Sequence, residues 1–222
     1  MDCLRRIGTA ALAGALMFGC SSADEHADEP AHDQATKVLM IVPEGDSEDL
    51  EYMLTMEVDM MKRMLEDEGI EVHVATASGE PLTAEETTLT PDLEYGEVDV
   101  AAFDGIAMPC LAVPVSAREL PAQLEEGIRE AASAGIPVAA QTGAIRVLGR
   151  LGMLTEKRFS YLEEPAANIP EFEGAILTGD GIVADGNIIT SAICPYAARE
   201  RELEDGTAAL MEAFIAQLTH EH

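Results

Sequence analysis

The sequence predicts an α/β domain, a three-layer sandwich in which a mostly parallel sheet is covered by helices on both faces. Short apolar segments of strand character alternate along the chain with longer segments of helical periodicity. The strand segments are apolar at nearly every position, which is typical of a sheet buried on both faces. The chain has 222 residues, of which 47% are apolar, so it can form a sizeable core.

The first predicted strand covers residues 37–42 and ends at the turn sequence Pro-Glu-Gly-Asp. A helix is predicted over residues 48–68, because its first turn is acidic and Gly69 follows its end. Its apolar residues recur at helical spacing: Leu50, Met53, Leu54, Met60, Met61, Met64 and Leu65. This methionine stripe is predicted to be a packed face rather than a copper site, since methionine fills irregular gaps.

The rest of the domain follows the same alternation. Strands are predicted at 70–75, near Leu89, at 103–108, 136–140, 182–184 and 188–191, and helices at 116–134, 143–151 and 197–218. The carboxyl ends of parallel strands meet at one edge of a sheet, and function gathers there. The candidate site is therefore bounded by residues 44–51, 109–112, 141–143 and 191–195.

The first 20 residues have the form of a bacterial export signal, with Arg5 and Arg6 before an apolar run at 7–18. The run is too short to span a bilayer, which requires roughly 20 residues. Its end, Met-Phe-Gly-Cys, resembles the lipobox of bacterial lipoproteins. We expect residues 1–20 to be a lipoprotein signal peptide and Cys20 to carry lipid, anchoring an exported protein to the cell envelope on its periplasmic or extracytoplasmic side. An ordinary secretory signal is the alternative.

Residues 21–36 are acidic and lack large apolar side chains, so they are predicted to form a flexible tether before a domain at 37–219. The net charge of −29 argues against nucleic-acid binding, because such a surface repels phosphate. An acidic surface with only three lysines is consistent with simple solubility or with adaptation to high salt. No cofactor or fixed metal site is predicted, and the histidines of the two tails are interpreted as solvated.

Four blocks of sequence, in order, resemble the ThiJ/PfpI family, which includes the parkinsonism-associated protein deglycase. The blocks are VLMIVPEGDSEDLEYMLTMEVDMMKRMLEDEGIEVHVAT, FDGIAMPCLA, AGIPVAAQTGAIRVLGRLGMLTEKRFS and GDGIVADGNIITSAICP. Together they extend over nearly all of residues 37–218. The resemblance implies a flavodoxin-like, class I glutamine amidotransferase-like fold and a homodimer. It also implies a cysteine at the turn between strand and helix, supported by a glutamate from the first loop.

This chain departs from the family pattern at that turn, which we call the elbow (residues 141–143). Alignment puts the family's cysteine at Thr142 or at Gln141, and no histidine follows. Spacing makes Glu51 the best match for the supporting glutamate, with Glu48 and Asp49 as rivals. A glutamine amide is no nucleophile, and a threonine hydroxyl needs a dedicated base, which Glu51 would have to provide. Backbone donors at the elbow still suit an oxyanion or a carboxylate.

The leading hypothesis is therefore a domain without the family's catalytic cysteine, which binds a small ligand or a partner through Gln141, Gly143 and Cys194. The alternative is a hydrolase or a glyoxalase/deglycase that uses a relocated thiol, Cys110, or Thr142 with Glu51. Cys110 and Cys194 leave three interpretations open: a relocated nucleophile, a disulfide beside the pocket, or inert packing. A metal-handling acidic lipoprotein is a third class of function.

Overall fold

A computed structural model of the chain describes residues 35–162, 166, 168–179 and 181–220, of which His220 only by its backbone. The predicted signal peptide, the lipidation site Cys20 and almost all of the predicted tether lie outside the described residues. The described residues belong to one compact unit. Its strands in chain order are β1 (Lys37–Ile41), β2 (Glu71–Thr76), β3 (Leu82–Thr83), β4 (Thr88–Leu89), β5 (Leu93–Glu94), β6 (Gly105–Met108), β7 (Val138–Gln141), β8 (Arg158–Phe159), β9 (Ile176–Leu177), β10 (Ile182–Asp185) and β11 (Ile188–Ser191).

Seven of these strands form the central sheet, in the order β10-β11-β7-β6-β1-β2-β5. Neighbouring strands are parallel throughout, except for the hairpin of β10 and β11. The prediction of a mostly parallel sheet is confirmed. Because β6, β7 and β11 are parallel neighbours, the segments that follow them emerge at the same edge of the sheet, and this arrangement positions the candidate site.

The helices are α1 (Leu50–Met53), α2 (Asp59–Asp67), α3 (Ala122–Ser133), α4 (Ile145–Arg150), α5 (Pro195–Arg201) and α6 (Thr207–His220). A π-helical segment, Leu54–Val58, joins α1 to α2. The core has two layers, one on each face of the sheet. Along β1, Val38 and Met40 belong to the layer with α2 and α6, whereas Leu39 and Ile41 belong to the layer with α3 and α4. Alternate side chains of a strand point to opposite faces, so this pattern is that of a three-layer sandwich.

Two predicted helices differ from the observed ones. The helix predicted at 116–134 begins only at Ala122, after a separate 3₁₀ turn at Val115–Arg118, because Pro121 disfavours helical backbone in the residue before it. The single helix predicted at 197–218 is two helices. The backbone of Glu202 is left-handed, with φ of 54°, and ends α5. Gly206 then passes so close to β11 that a Cβ there would lie 2.3 Å from the Ser191 hydroxyl.

Two further pairs of short strands, β3 with β4 and β8 with β9, lie outside the central sheet. The strand predicted near Leu89 is β4, but β8 and β9 were not predicted, because two-residue strands carry no periodic signal. Among the helices of the described residues, none combines the length and apolarity needed to cross a membrane.

Candidate active site

The elbow lies where β7 ends and the chain turns into α4. Gln141 is the last residue of β7, and Thr142–Ala144 form a single 3₁₀ turn before the helix. Thr142 has a φ of 42°, a left-handed conformation that a β-branched residue rarely adopts. A strained strand-to-helix corner is how α/β hydrolases present a nucleophile. Of the two residues that the sequence allowed for the corner, Thr142 has this conformation.

The polar side chains of the elbow are bonded to the segment that follows β11. The fully buried Gln141 amide donates to the Ile193 carbonyl at 2.9 Å. The Thr142 hydroxyl donates to the Ala192 carbonyl and accepts the Cys194 backbone N–H, each at 3.0 Å. These bonds join the ends of β7 and β11, so both elbow side chains have a structural role.

A second strained turn follows β6, at Cys110, Leu111 and Ala112. Leu111 and Ala112 both have positive φ, 53° and 49°. Glu57 satisfies the backbone donors of this turn, because its two carboxyl oxygens accept the N–H groups of Cys110 and Leu111, each at 2.8 Å. A carboxyl group inside the core therefore holds the Cys110 turn in its strained form.

Glu57 comes from the π-helical segment and has no exposed surface. Its pKa lies well above the usual value, first because burial disfavours the charged carboxylate and second because of negative charge on Cys110. Glu57 is not among the site residues predicted from the sequence. The available signal was its spacing, since Glu57 lies four residues after Met53 and four before Met61, on the stripe whose members are otherwise apolar.

Arg118, which is also not among the predicted site residues, supplies buried positive charge. It is 3% exposed, and its Nη2 donates to the carbonyls of Cys110 and Val113 and lies 3.7 Å from the Cys110 Sγ. The guanidinium is pressed against the elbow, where a Cβ on Gly143 would lie 2.7 Å from Nη2. A side chain at position 143 would therefore displace the Arg118 guanidinium from the elbow. The signal in the sequence was that Arg118 is the first lysine or arginine after Arg63 in a very acidic chain.

Cys110 and Cys194 are both buried and free. The Cys194 thiol hydrogen-bonds to the Cys110 sulfur and is the main reason that the pKa of Cys110 falls to about 6. The Arg118 charge and the Gly143 N–H act in the same direction and together with Cys194 outweigh the effect of burial. The pKa of Cys194 is raised, because its proton is bonded to Cys110 and because it is buried. The arrangement favours a thiolate at Cys110 and a thiol at Cys194.

The predicted supporting acids are occupied elsewhere. The Glu51 carboxylate accepts the N–H groups of Glu86 and Thr87, each at 3.0 Å, together with the Thr87 hydroxyl. Asp49 pairs with Arg199 at 2.7 Å, and Glu48 is exposed. In this structure the buried acid beside the site is thus Glu57 and not Glu51. Distance along the chain from the first loop favoured Glu51, whereas the position of Glu57 on the apolar stripe was the signal for the buried acid.

A surface cleft of about 860 Å³ is lined by residues 96–101 and by α3, and its lining contains none of the site residues described above. Near the two sulfur atoms, Ala112, Thr142 and Gly143 are half-buried and border the surface. Within the described part of the chain, no group of three or more histidine, cysteine or acidic residues could hold a metal ion.

The sheet order, the helices on both faces and the elbow define a class of protein, the flavodoxin-like domains with a class I glutamine amidotransferase-like fold. Within that class, the model of the DJ-1/PfpI family matches residues 36–199, and the chain belongs to this family. The resemblance to ThiJ/PfpI sequences is confirmed.

Solved structures show the same fold. A ThiJ/PfpI domain protein from Brachyspira murdochii is similar at 16% identity and a TM-score of 0.62, over 82% of this chain and 99% of its own. Drosophila melanogaster DJ-1beta is similar at 24% identity and a TM-score of 0.56, over 83% and 98%. A putative protease I from Bacteroides thetaiotaomicron is similar at 16% identity and a TM-score of 0.59, over 81% and 99%. No curated protein matches the sequence.

Proposed function

We propose that this protein is a thiol-dependent enzyme in which Cys110 takes the role of the cysteine that the elbow lacks. One observation carries the proposal: the Arg118 guanidinium lies 3.7 Å from the buried Cys110 sulfur, and the pKa of this thiol falls to about 6. A positive charge beside a sulfur atom stabilises its thiolate, which is the reactive form of a cysteine. The Gln141 amide and the Thr142 hydroxyl already donate to main-chain carbonyl groups, so the geometry favours Cys110 over Thr142 as the nucleophile.

The substrate of this thiolate is a small carbonyl compound. Cys110 is only 5% exposed, which disfavours attack on a folded protein or a bulky side chain and favours a small molecule such as methylglyoxal. The thiolate sulfur bonds to the aldehyde carbon, the electron pair of the carbonyl bond moves to its oxygen, and that oxygen takes a proton from water. The hydrogen on the former aldehyde carbon then moves to the neighbouring carbonyl carbon, which converts the adduct into a lactoyl thioester. Water cleaves the C–S bond of this thioester, which releases lactate and restores the Cys110 thiolate, so that methylglyoxal and one water molecule give lactate.

The test is the consumption of methylglyoxal by the purified chain and by its C110S variant. We expect conversion by the wild-type protein and its loss in C110S, because a serine hydroxyl is not ionised near neutral pH. Circular dichroism of both proteins excludes unfolding as the cause. If the wild-type protein neither converts methylglyoxal nor reacts at Cys110 with a small thiol reagent, the enzymatic proposal is refuted. The non-catalytic ligand-binding function predicted from the elbow would then be the better account.

Export and anchoring remain proposals that rest on the sequence of residues 1–20. We expect the protein to be found in the membrane fraction of cells and to incorporate labelled fatty acid at Cys20. The C20S variant should lose the label and leave the membrane fraction. Retention of the label in C20S would contradict the proposal.

A homodimer is also proposed, as the family resemblance implies. A surface suited to such contact surrounds Arg199, whose guanidinium lies 4.7 Å from the Tyr52 ring and 5.5 Å from the Tyr196 ring. Met56, one helical turn after Tyr52, is 37% exposed. Sedimentation should detect a dimer, and M56E should weaken it. The control I176E, which changes an exposed residue elsewhere, should leave the dimer unchanged. A monomer at all concentrations would refute it.

A further inference from the structure

Arg118 carries a buried positive charge that no carboxylate balances in the part of the chain that the structure describes. The residue is only 3% exposed. Its Nη1 donates to the Pro109 carbonyl at 3.4 Å, and its Nη2 donates to the Cys110 and Val113 carbonyls. The ion pairs among the described residues all use other basic side chains. A buried charge without a counter-ion is strongly unfavourable, so an anion beside Arg118 would stabilise the folded protein.

The buried acid of the site does not provide this counter-ion. Glu57 accepts the N–H groups of Cys110 and Leu111, and burial raises its pKa well above the usual value, which disfavours the charged carboxylate. The Cys110 sulfur lies 3.7 Å from the Arg118 Nη2 and can balance the guanidinium charge, but only while the thiol is ionised. A neutral Cys110 thiol leaves Arg118 without a counter-ion from these residues.

The Arg118 guanidinium also retains an unused donor and borders a small cavity. Among the described residues, none accepts the Arg118 Nε–H, although this nitrogen is buried. Arg118 lines a cavity of about 10 Å³ whose other lining residues are apolar or aromatic and include Ile41, Tyr95 and Ala144. The Tyr95 hydroxyl donates to the Val42 carbonyl at 2.7 Å, so its proton is already used. Arg118 is therefore the charged donor of this cavity.

We propose that this cavity binds one small monovalent anion, chloride, through the Arg118 guanidinium. A cavity of this size has room for about one particle of the size of water, and chloride is only slightly larger, whereas carboxylate and phosphate ions are too large. A water molecule accepts the Nε–H without balancing the charge, whereas chloride does both. The net charge of −29 repels anions, but in about 1 M salt the Debye length falls to about 3 Å. The site therefore fills at high salt.

Chloride in this cavity shares the charge of Arg118 with the Cys110 sulfur. Two anions beside one guanidinium repel each other, so bound chloride disfavours the thiolate. Linkage makes the effect reciprocal, and ionisation of Cys110 weakens chloride binding by the same factor. This competition rests on the proposed function, because it needs a thiolate at Cys110, whereas the chloride site itself does not. Chloride thus becomes an inhibitor of the thiol chemistry.

The test follows the Arg118 Nε–H signal of the purified full-length chain by ¹H–¹⁵N NMR during titration with sodium chloride. Sodium gluconate is the matched salt, because gluconate is too large for the cavity. We expect chloride to shift this signal to saturation or to produce a separate bound signal, and gluconate to leave it nearly unchanged. In A144V, two added methyl groups take up space in the cavity, so the signal should persist without responding to chloride. The control A101V makes the same change at an exposed alanine and should respond like the wild-type protein.

Three results would refute the chloride site: no response of the signal to chloride, an equal response to gluconate, or an unchanged response in folded A144V. The competition is tested separately, by labelling Cys110 with methyl methanethiosulfonate at about pH 6 and reading the labelled peptide by mass spectrometry. We expect chloride to slow labelling about threefold relative to gluconate, which corresponds to about half a pKa unit. Equal labelling rates in the two salts would refute the competition. If Cys110 labels in neither salt, the proposed function fails, and the NMR titration still decides the chloride site.

Discussion

Replacing Cys194 by alanine tests the electrostatic account of the site most directly. The change removes the hydrogen bond that is the main cause of the low pKa of Cys110. A hydrogen bond to a charged group contributes about 1.5–3 kcal/mol, which corresponds to about one to two pKa units. The pKa of Cys110, about 6 in the intact protein, should therefore rise to about 7–8 in C194A.

The assay is the rate at which a small thiol reagent labels Cys110 as a function of pH. A lower pKa keeps the thiolate at lower pH, so the difference between proteins is greatest on the acidic side. At about pH 5.5 we expect C194A to label roughly tenfold to a hundredfold more slowly than the wild-type protein, and the two rates should converge near about pH 9.

Serine at position 194 provides the matched control. It is nearly the size of cysteine and keeps a donor for the Cys110 sulfur, so C194S should retain most of the labelling rate of the wild-type protein. Identical pH profiles in C194A and the wild-type protein would refute the idea that Cys194 activates Cys110. A C194S profile displaced as far as that of C194A would show that packing, and not the hydrogen bond, is responsible.

Three other predictions follow from the same contacts and from the charge. In E57Q, the glutamine side chain cannot accept both the Cys110 and the Leu111 N–H groups through separate oxygen atoms. Denaturant titration should therefore show a loss of about 1–3 kcal/mol in the free energy of unfolding. The exposed control E66Q should lose less than about 0.5 kcal/mol. Because the pKa of Glu57 is raised in the folded protein, its contribution to stability is present below the unfolded pKa of 4.5 and declines as pH rises. E57Q should flatten this decline, and an unchanged dependence of stability on pH in E57Q would contradict the raised pKa. T142V should keep methylglyoxal conversion within about tenfold of the wild type, because the hydroxyl bonds only main-chain groups; loss of conversion in T142V but not in T142S would indicate a threonine nucleophile. Sodium chloride should raise the melting temperature of this protein of net charge −29 by screening its self-repulsion, more than an equal osmolarity of sucrose does, and no such difference would argue against the high-salt interpretation.

Much of the fold follows from local sequence, because long apolar strands and amphipathic helices carry their own periodic signal. The strands β1, β2, β6, β7 and the hairpin were all predicted to within a few residues. The last helix was not, because the local pattern through residues 197–218 is helical throughout, whereas the break at Glu202 and Gly206 depends on contact with β11. Local propensity gives way there to tertiary packing.

The candidate site, like the fold, was predicted from the sequence only in part. By itself the sequence determined the α/β fold class, the family, the elbow at residues 141–143 and the absence of a cysteine there, since each depends on residues adjacent in the chain. Only the tertiary structure decided that Glu57 and Arg118 face Cys110, and that Cys194 bonds to its sulfur. These four residues lie on four separate segments, and their charges and thiols interact only because the parallel strands β6, β7 and β11 end at one edge of the sheet and exclude water there.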